Sequence, residues 1–278
     1  MKFKFLGTAA AEGFPAVFCR CKACEDARKL RGKNIRTRAQ ALINNDLLID
    51  FSMDTYAHAV QNALCLDEVK YILITHSHMD HCTLADLQLR GGAYAHNMQV
   101  PLVTVLGNGG VREKYESVYE EMHPLIRVSY QFQSVQAYER VQVGEYDITP
   151  LPARHMPTET PFVYIIEYQN KKIFYCLDTG YPYEEVFEFL KEQKFEFDMV
   201  VLDCTIVDNP CKENATHMNG ELCLRVVDCL RKNGNIVEKT KTIVTHFSHN
   251  GNPLQDRLEE MFNPYGIGVA YDGMEIEI

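Results

Sequence analysis

The chain has 278 residues, is 46% hydrophobic and carries a formal charge of −10, with an isoelectric point near 5.5. That is enough apolar material for a substantial core, and the acidic balance argues against a general nucleic-acid or membrane-surface protein. No apolar run approaches the ~18 residues that span a bilayer.

Residues 1–7 alternate as a strand without a signal-peptide core, so a cytoplasmic location is expected. Ten cysteines in that setting indicate reduced thiols and metal ligation rather than a disulfide framework. A small-residue turn over 7–15 leads into Cys19-Arg20-Cys21-Lys22-Ala23-Cys24. Thiols at C-x-C-x-x-C spacing on one short loop can reach a single tetrahedral zinc, whose fourth ligand must come from far away in the chain. Residues 39–50 read as two strands around an Asn44-Asn45-Asp46 turn. Asp50, taken alone, reads as a helix cap. Residues 54–66 have helical periodicity, with Tyr56, Ala59, Val60 and Ala63 on one face.

The most informative stretch follows. An apolar strand over 71–74 empties into Thr75-His76-Ser77-His78-Met79-Asp80-His81-Cys82. On an extended backbone His76 and His78 point to the same side, which suits one ion. Asp80 and His81 aim elsewhere, towards a second. Helical zinc motifs use H-E-x-x-H instead. A helix is expected from Thr83 through Leu84, Leu87 and Gln88, with its dipole near Asp80.

Residues 101–150 suggest a strand at 102–106, a turn at Gly107-Asn108-Gly109-Gly110, a helix over 111–121 and strands near 128–132 and 146–151. No G-K-[ST] follows the turn, so it is not a phosphate loop. Beyond this, strand after strand ends in a ligand-type residue. His155 follows strand 146–151, Asp178 follows a hairpin of 162–168 and 172–177 around Asn170, and Asp203 follows strand 199–202. After helices over 183–193 and 220–231, strand 242–245 leads to His246-Phe247-Ser248-His249, and strands over 266–270 and 274–278 close the chain. No linker or repeat interrupts residues 1–278, which reads as one domain. Functional groups collect at the carboxyl ends of strands in α/β sheets. The joint placement of His155, Asp178 and His246 after strands points to a metal centre with the 76–81 run, and its donors suit zinc, manganese, nickel or iron.

The order of H-x-H-x-D-H, later His, later Asp and late His resembles the metallo-β-lactamase superfamily over nearly the whole chain. It is most similar to the phosphoribosyl cyclic phosphodiesterase (PhnP-type) branch, at Gly7-Thr8, at Cys19, Cys21 and Cys24, at 75–81, at Thr245-His246-x-x-His249 and at Asp272-Gly273-Met274-Glu275-Ile276. The resemblance implies an α/β (α+β) fold, an αββα four-layer sandwich. It implies one metal on His76, His78 and His155, another on Asp80, His81 and His246, and Asp178 bridging them. It implies His249 as the fourth ligand of a structural zinc and His217, in Ala215-Thr216-His217-Met218-Asn219, as catalytic acid alongside Asp80 and Asp178.

The implied reaction opens a ribosyl 1,2-cyclic phosphate by attack of a hydroxide held between two divalent ions (Mn, Zn or Ni, with Fe admitted). The implied partner is a small anionic phosphodiester, with no nucleic-acid polymer and no membrane; a homodimer is admitted. Asp50 and Asp203 are expected to orient ligand imidazoles. Arg36, Arg38 and Arg154 either hold the substrate's outer phosphate or are solvated surface groups. The chain departs from the branch in its alanine-rich turn after Thr8 and over residues 87–143. The alternatives are a hydrolase of another ester (a lactone or thioester), a PqqB-type cofactor-biosynthesis protein, which also looks similar at C-x-C-x-x-C, and a non-catalytic metal-binding scaffold.

Overall fold

Near-continuous apolar runs give strands such as 40–43, 103–107 and 199–203 two buried faces, and the architecture follows from covering both. The computed structural model describes residues 1–278. Strands β1 (Lys2–Gly7), β2 (Gln40–Ile43), β3 (Leu47–Ile49), β4 (Tyr71–Leu73), β5 (Val103–Gly107) and β6 (Tyr130–Ser134) lie side by side in chain order. A second sheet is also in chain order: β7 (Val141–Val143), β8 (Tyr146–Pro152), β9 (Phe162–Tyr168), β10 (Lys171–Cys176), β11 (Met199–Asp203), β12 (Lys241–Thr245) and β13 (Ile267–Val269). The last strand, β14 (Glu275–Glu277), returns to pair antiparallel with β1. The run β3 to β6 is parallel, as is the run β10 to β13.

Side chains of period two sort into three layers. Ala41, Ile43, Ile49 and Leu73 of the first sheet meet Ile148, Tyr164, Tyr175 and Val201 of the second in a shared core. The helices are α1 (Lys22–Leu30), α2 (Thr55–Gln61), α3 (Gly109–Glu121), α4 (Pro124–Arg127), α5 (Glu184–Glu192), α6 (Gly220–Lys232) and α7 (Gln255–Phe262). The outward residues Leu42, Leu48, Ile72 and Val105 pack with Val111 and Tyr115 of α3. Phe174, Val200 and Leu202 pack with Leu190 of α5, Val226 and Leu230 of α6 and Leu258 of α7. The expected αββα sandwich is therefore what the chain forms. No helix is long and apolar enough to cross a membrane.

Several local expectations need correction. The segment after His81 is a 3₁₀ helix, Leu84–Leu89, rather than an α-helix. Its buried Leu84 and Leu87 are three apart, which a three-residue turn places on one face. No α-helical dipole therefore points at Asp80. Helix α2 stops at Gln61, where the Asn62 side chain bonds back to the His58 carbonyl and Ala63 turns left-handed at φ +52°. Residues 101–150 also hold α4 and the short β7, neither of them anticipated. The β7–β8 hairpin turns on Gly144 at φ +61°, where a Cβ would lie 2.3 Å from the Tyr71 hydroxyl. Helices α1 and α7 also went unread, because charged residues mask their short apolar faces.

Arg36 is neither a substrate clamp nor a solvated group. It is buried under the Phe247 ring and donates to Thr8 Oγ1 (2.9 Å), the Ala270 carbonyl (2.6 Å) and Gln255 Oε1 (2.6 Å). It ties together four segments distant in sequence. Arg36→Met should therefore destabilise the fold by about 3–5 kcal/mol, because it leaves buried acceptors without donors. Urea denaturation checks this, and an unchanged midpoint would contradict it.

Candidate metal centre

The carboxyl ends of the strands deliver the site. Asp50 follows β3, the residue 76–81 run follows β4, His155 follows β8, Asp178 follows β10, Asp203 ends β11 and His246 follows β12. Three of these residues have left-handed backbones, Asp50 at φ +63°, Asp178 at +51° and His246 at +64°. Such conformations cost roughly 1–3 kcal/mol each and persist where the surroundings over-determine them.

The buried Asp178 carboxylate is the hub. Its Oδ2 lies 3.2 Å from His76 Nε2, 3.1 Å from His81 Nε2 and 3.9 Å from His246 Nε2. Its Oδ1 lies 3.4 Å from His155 Nδ1 and 3.2 Å from His217 Nδ1. His155 Nε2 and His78 Nδ1 face each other at 2.9 Å, and Asp80 Oδ2 is 3.1 Å from His81 Nε2. Burial would raise the Asp178 pKa, but His246, His76 and His81 outweigh it and hold the carboxyl well below its ordinary range. Burial lowers His76 to about 4, with His81 adding to the effect. For His217 burial pulls downwards, yet the Asp203 hydrogen bond and charge lift it to about 9.

Two matching relays set the tautomers. Asp50 Oδ1 accepts from Thr75 N (2.8 Å) and Thr75 Oγ1 (2.9 Å), and its Oδ2 accepts from His81 Nδ1 at 2.7 Å. Asp203 accepts from Thr205 N (3.1 Å) and Thr205 Oγ1 (2.9 Å), and its Oδ2 is 3.4 Å from His246 Nδ1. Each threonine hydroxyl has one proton and gives it to an aspartate. Each must then accept from the neighbouring imidazole, Thr75 from His76 Nδ1 (3.0 Å) and Thr205 from His246 Nδ1 (2.7 Å). All three Nδ1 atoms therefore carry hydrogen, and the Nε2 atoms of His76, His81 and His246 turn inwards. Those three Nε2 atoms and Asp178 Oδ1 are buried without a hydrogen-bond partner. Converging, orphaned ligand atoms are what a cation site requires.

Two donor sets emerge that could each hold a metal ion: His76, His78, His155 with Asp178, and Asp80, His81, His246 with Asp178. Within each, the ligand atoms lie within 4.8 Å of one another. A third grouping joins His217 to Asp178, Asp203 and His246. Asp50 is thus no helix cap, and the threonines 75 and 205 are participants that sequence reasoning missed. Arg38 is bound to the Asp54 carboxylate (2.9 and 3.0 Å), whereas Arg154 is half-buried, donating to the Tyr181 carbonyl and lying over the Tyr183 ring.

A family model described as "Beta-lactamase superfamily domain" matches residues 45–247. The chain belongs to the metallo-β-lactamase superfamily. Members of this superfamily are mostly metal-dependent hydrolases. Among similar solved structures is a diphosphatase of the PhnP family, 20% identical, covering 100% of this chain and 96% of that one at a TM-score of 0.73. Zinc-bound PqqB from Methylobacterium extorquens is also 20% identical and covers 100% of both chains, with a TM-score of 0.73. The short form of human tRNase Z is 15% identical and covers 100% and 99% of the two chains at 0.67. No curated protein matches the sequence.

The metallo-β-lactamase sandwich carries a second cluster here. Cys19, Cys21, Cys24 and His249 bring their ligand atoms within 4.8 Å of one another. The thiols are not all on one loop, because Cys21 caps α1 and Cys24 sits in its first turn. Cys21 Sγ is 3.6 Å from His249 Nδ1, and that contact lowers its pKa to about 6. Cys19 Sγ accepts from Cys21 N and Cys24 Sγ from Ala16 N, both at 3.3 Å, while burial pushes the Cys24 thiol up to about 12. Glu12, also missed, accepts from Ser248 Oγ (2.6 Å) and His249 N (3.2 Å) and fixes the histidine. A closed thiolate-rich set should resist chelators that empty an open one. Mild chelation followed by elemental analysis should leave about one zinc per chain. Simultaneous loss of all metal would contradict two classes of site.

Proposed function

We propose that this chain is a metal-dependent phosphodiesterase that opens a small cyclic phosphodiester, with a ribosyl 1,2-cyclic phosphate as the first substrate to test. One ion is assigned to His76, His78 and His155, the other to Asp80, His81 and His246, and Asp178 lies between them. Divalent ions in those sets supply Lewis acidity and water of lowered pKa. The remaining steps fall to the protein.

The observation that carries the reading is His217. The side chains of His76, His81 and His246 are at most 2% exposed, whereas that of His217 is 25% exposed. It stands at the open edge of the cluster, with Nδ1 3.2 Å from both Asp203 Oδ2 and Asp178 Oδ1. Nδ1 donates to these carboxylates, so the transferable proton resides on Nε2. Asp203 also accepts from Met218 N at 3.0 Å, which anchors the loop beside His217. A positioned acid matters when the leaving oxygen is too basic to depart unprotonated, as an alkyl ribose oxygen is. The diphosphatase among the similar folds supports phosphorus as the electrophile. PqqB supports the competing reading of a non-phosphate role.

Leaving-group chemistry tests the assignment. His217→Ala should lose roughly 10²–10⁴-fold in kcat on a cyclic ribosyl phosphate and far less on an aryl phosphodiester. His155→Ala and Asp178→Ala should fail on both, with reduced metal content. Rates at saturation, metal analysis and a melting curve belong together in this test. Equal losses on both substrates with falling metal content would make His217 a ligand, as its grouping with Asp178, Asp203 and His246 allows. Turnover of lactones or thioesters with no activity on phosphodiesters would overturn the substrate class.

A further inference from the structure

We propose that Glu159 is a positioning residue for the His76-Ser77-His78 ligand segment, and that residue 110 is glycine to leave room for its carboxylate. The inference rests on the ligand set assigned above, not on the phosphodiester reading.

Glu159 lies on the β8–β9 loop, four residues beyond His155. Its Oε1 accepts from Ser77 N at 2.7 Å. Ser77 separates His76 from His78, so this hydrogen bond fixes the peptide that aims both imidazoles. His78 and His155 come from different loops, yet their nitrogens face each other at 2.9 Å. That spacing depends on the two loops being fastened together. Glu159 is the side chain that joins them beside the ligands, and the Phe162 N to Thr75 O bond (2.9 Å) closes the other end of the joint.

The second observation is on α3. A Cβ at Gly110 would lie 1.7 Å from Glu159 Oε2, 2.9 Å from its Cδ and 3.4 Å from Ser77 Oγ. The carboxylate thus occupies the space a side chain would take. At neighbouring Gly109 a Cβ would meet nothing within 4 Å. Asn108 holds the arrangement from the other side, accepting from Val111 N (2.9 Å) and donating to the Thr160 carbonyl (2.7 Å). Acidic groups are also favoured at a helix start. Glu159 Oε2 itself is buried with no partner.

The test is Zn(II) affinity, measured by competition with a chromophoric chelator after the open site has been emptied. Groups that orient ligands typically alter metal affinity 10–100-fold. Glu159→Ala should weaken one of the two open-site equivalents by at least about tenfold. Glu159→Gln, which keeps the acceptor for Ser77 N, should restore it. Gly110→Ala should reproduce the loss although alanine is the better helix former, and Gly109→Ala should be silent. The double variant Glu159→Ala/Gly110→Ala should be no weaker than the worse single, because the added methyl then has nothing to displace. Wild-type affinity in Glu159→Ala, with only a lower melting temperature, would reduce Glu159 to a loop fastener and overturn the proposal. So would additive losses in the double variant, or a defect in Gly109→Ala equal to that in Gly110→Ala. If the wild type takes up no zinc beyond the thiolate set, the ligand assignment falls as well.

Discussion

A single buried carboxylate governs the architecture of the site. Asp178 is almost fully enclosed, and five imidazoles approach it within 3.9 Å. An isolated carboxylate in such a place is prohibitively costly. It can stay ionised only if positive charge is gathered around it. Protons on the histidines can supply part of that charge, and divalent cations held by the two donor sets would supply more. Metal binding at these sets would therefore be coupled to proton release. Asp178 also has a left-handed backbone, at φ +51°, just past the carboxyl end of β10.

Around this hub the two halves of the fold solve one problem twice. In the first sheet Asp50, Thr75 and His81 form a relay; in the second, Asp203, Thr205 and His246 form another. In each, an aspartate past or at a strand end receives a threonine hydroxyl proton and faces an imidazole. The neutral hydroxyl then has only acceptor capacity left for a ring nitrogen. This fixes the inward lone pairs without placing further charge beside the ligands. Asp203 does more than its counterpart, since it also faces His217. One residue thus connects a ligand-type imidazole with the proposed acid, and perturbing it would disturb both.

The layers and the ligands were legible in the sequence to different depths. Short apolar runs such as 41–43 and 173–177 are legible as strands, whereas their assembly into two facing sheets was implied by the resemblance to the metallo-β-lactamase superfamily. The 76–81 run was legible because an extended backbone aligns alternate residues, and His155, Asp178 and His246 because each follows a strand. Thr75 stands next to a ligand and Thr205 two residues beyond Asp203, but nothing local tells that a hydroxyl will act as a relay. Glu159 is further out of reach. Its partner is Ser77, 82 positions away, and the contact exists only once two loops meet. Helix α1 was hidden for another reason: Ala23, Cys24 and Ala27 are its only buried side chains, too small a stripe to stand out among lysines and acids.

The thiolate cluster is tied to the open site by the short path from His246 to His249. Phe247, between them, is fully buried and bonds through its backbone to the first turn of the chain, its N–H to the Thr8 carbonyl (3.0 Å) and its carbonyl to Ala10 N (3.1 Å). His246 is held at a left-handed φ of +64°, which favours relaxation of this segment unless both of its ends are fixed. Strand β12 fixes one end. At the other, His249 meets Cys21 while Glu12 holds its backbone. A structural zinc in such a set contributes folding energy directly. That energy would be delivered three residues from a strained ligand of the open site. On this argument the cysteine motif belongs to the same mechanical unit as the metal centre, although it lies outside the chemistry: it holds the segment in which His246 can keep its strained conformation.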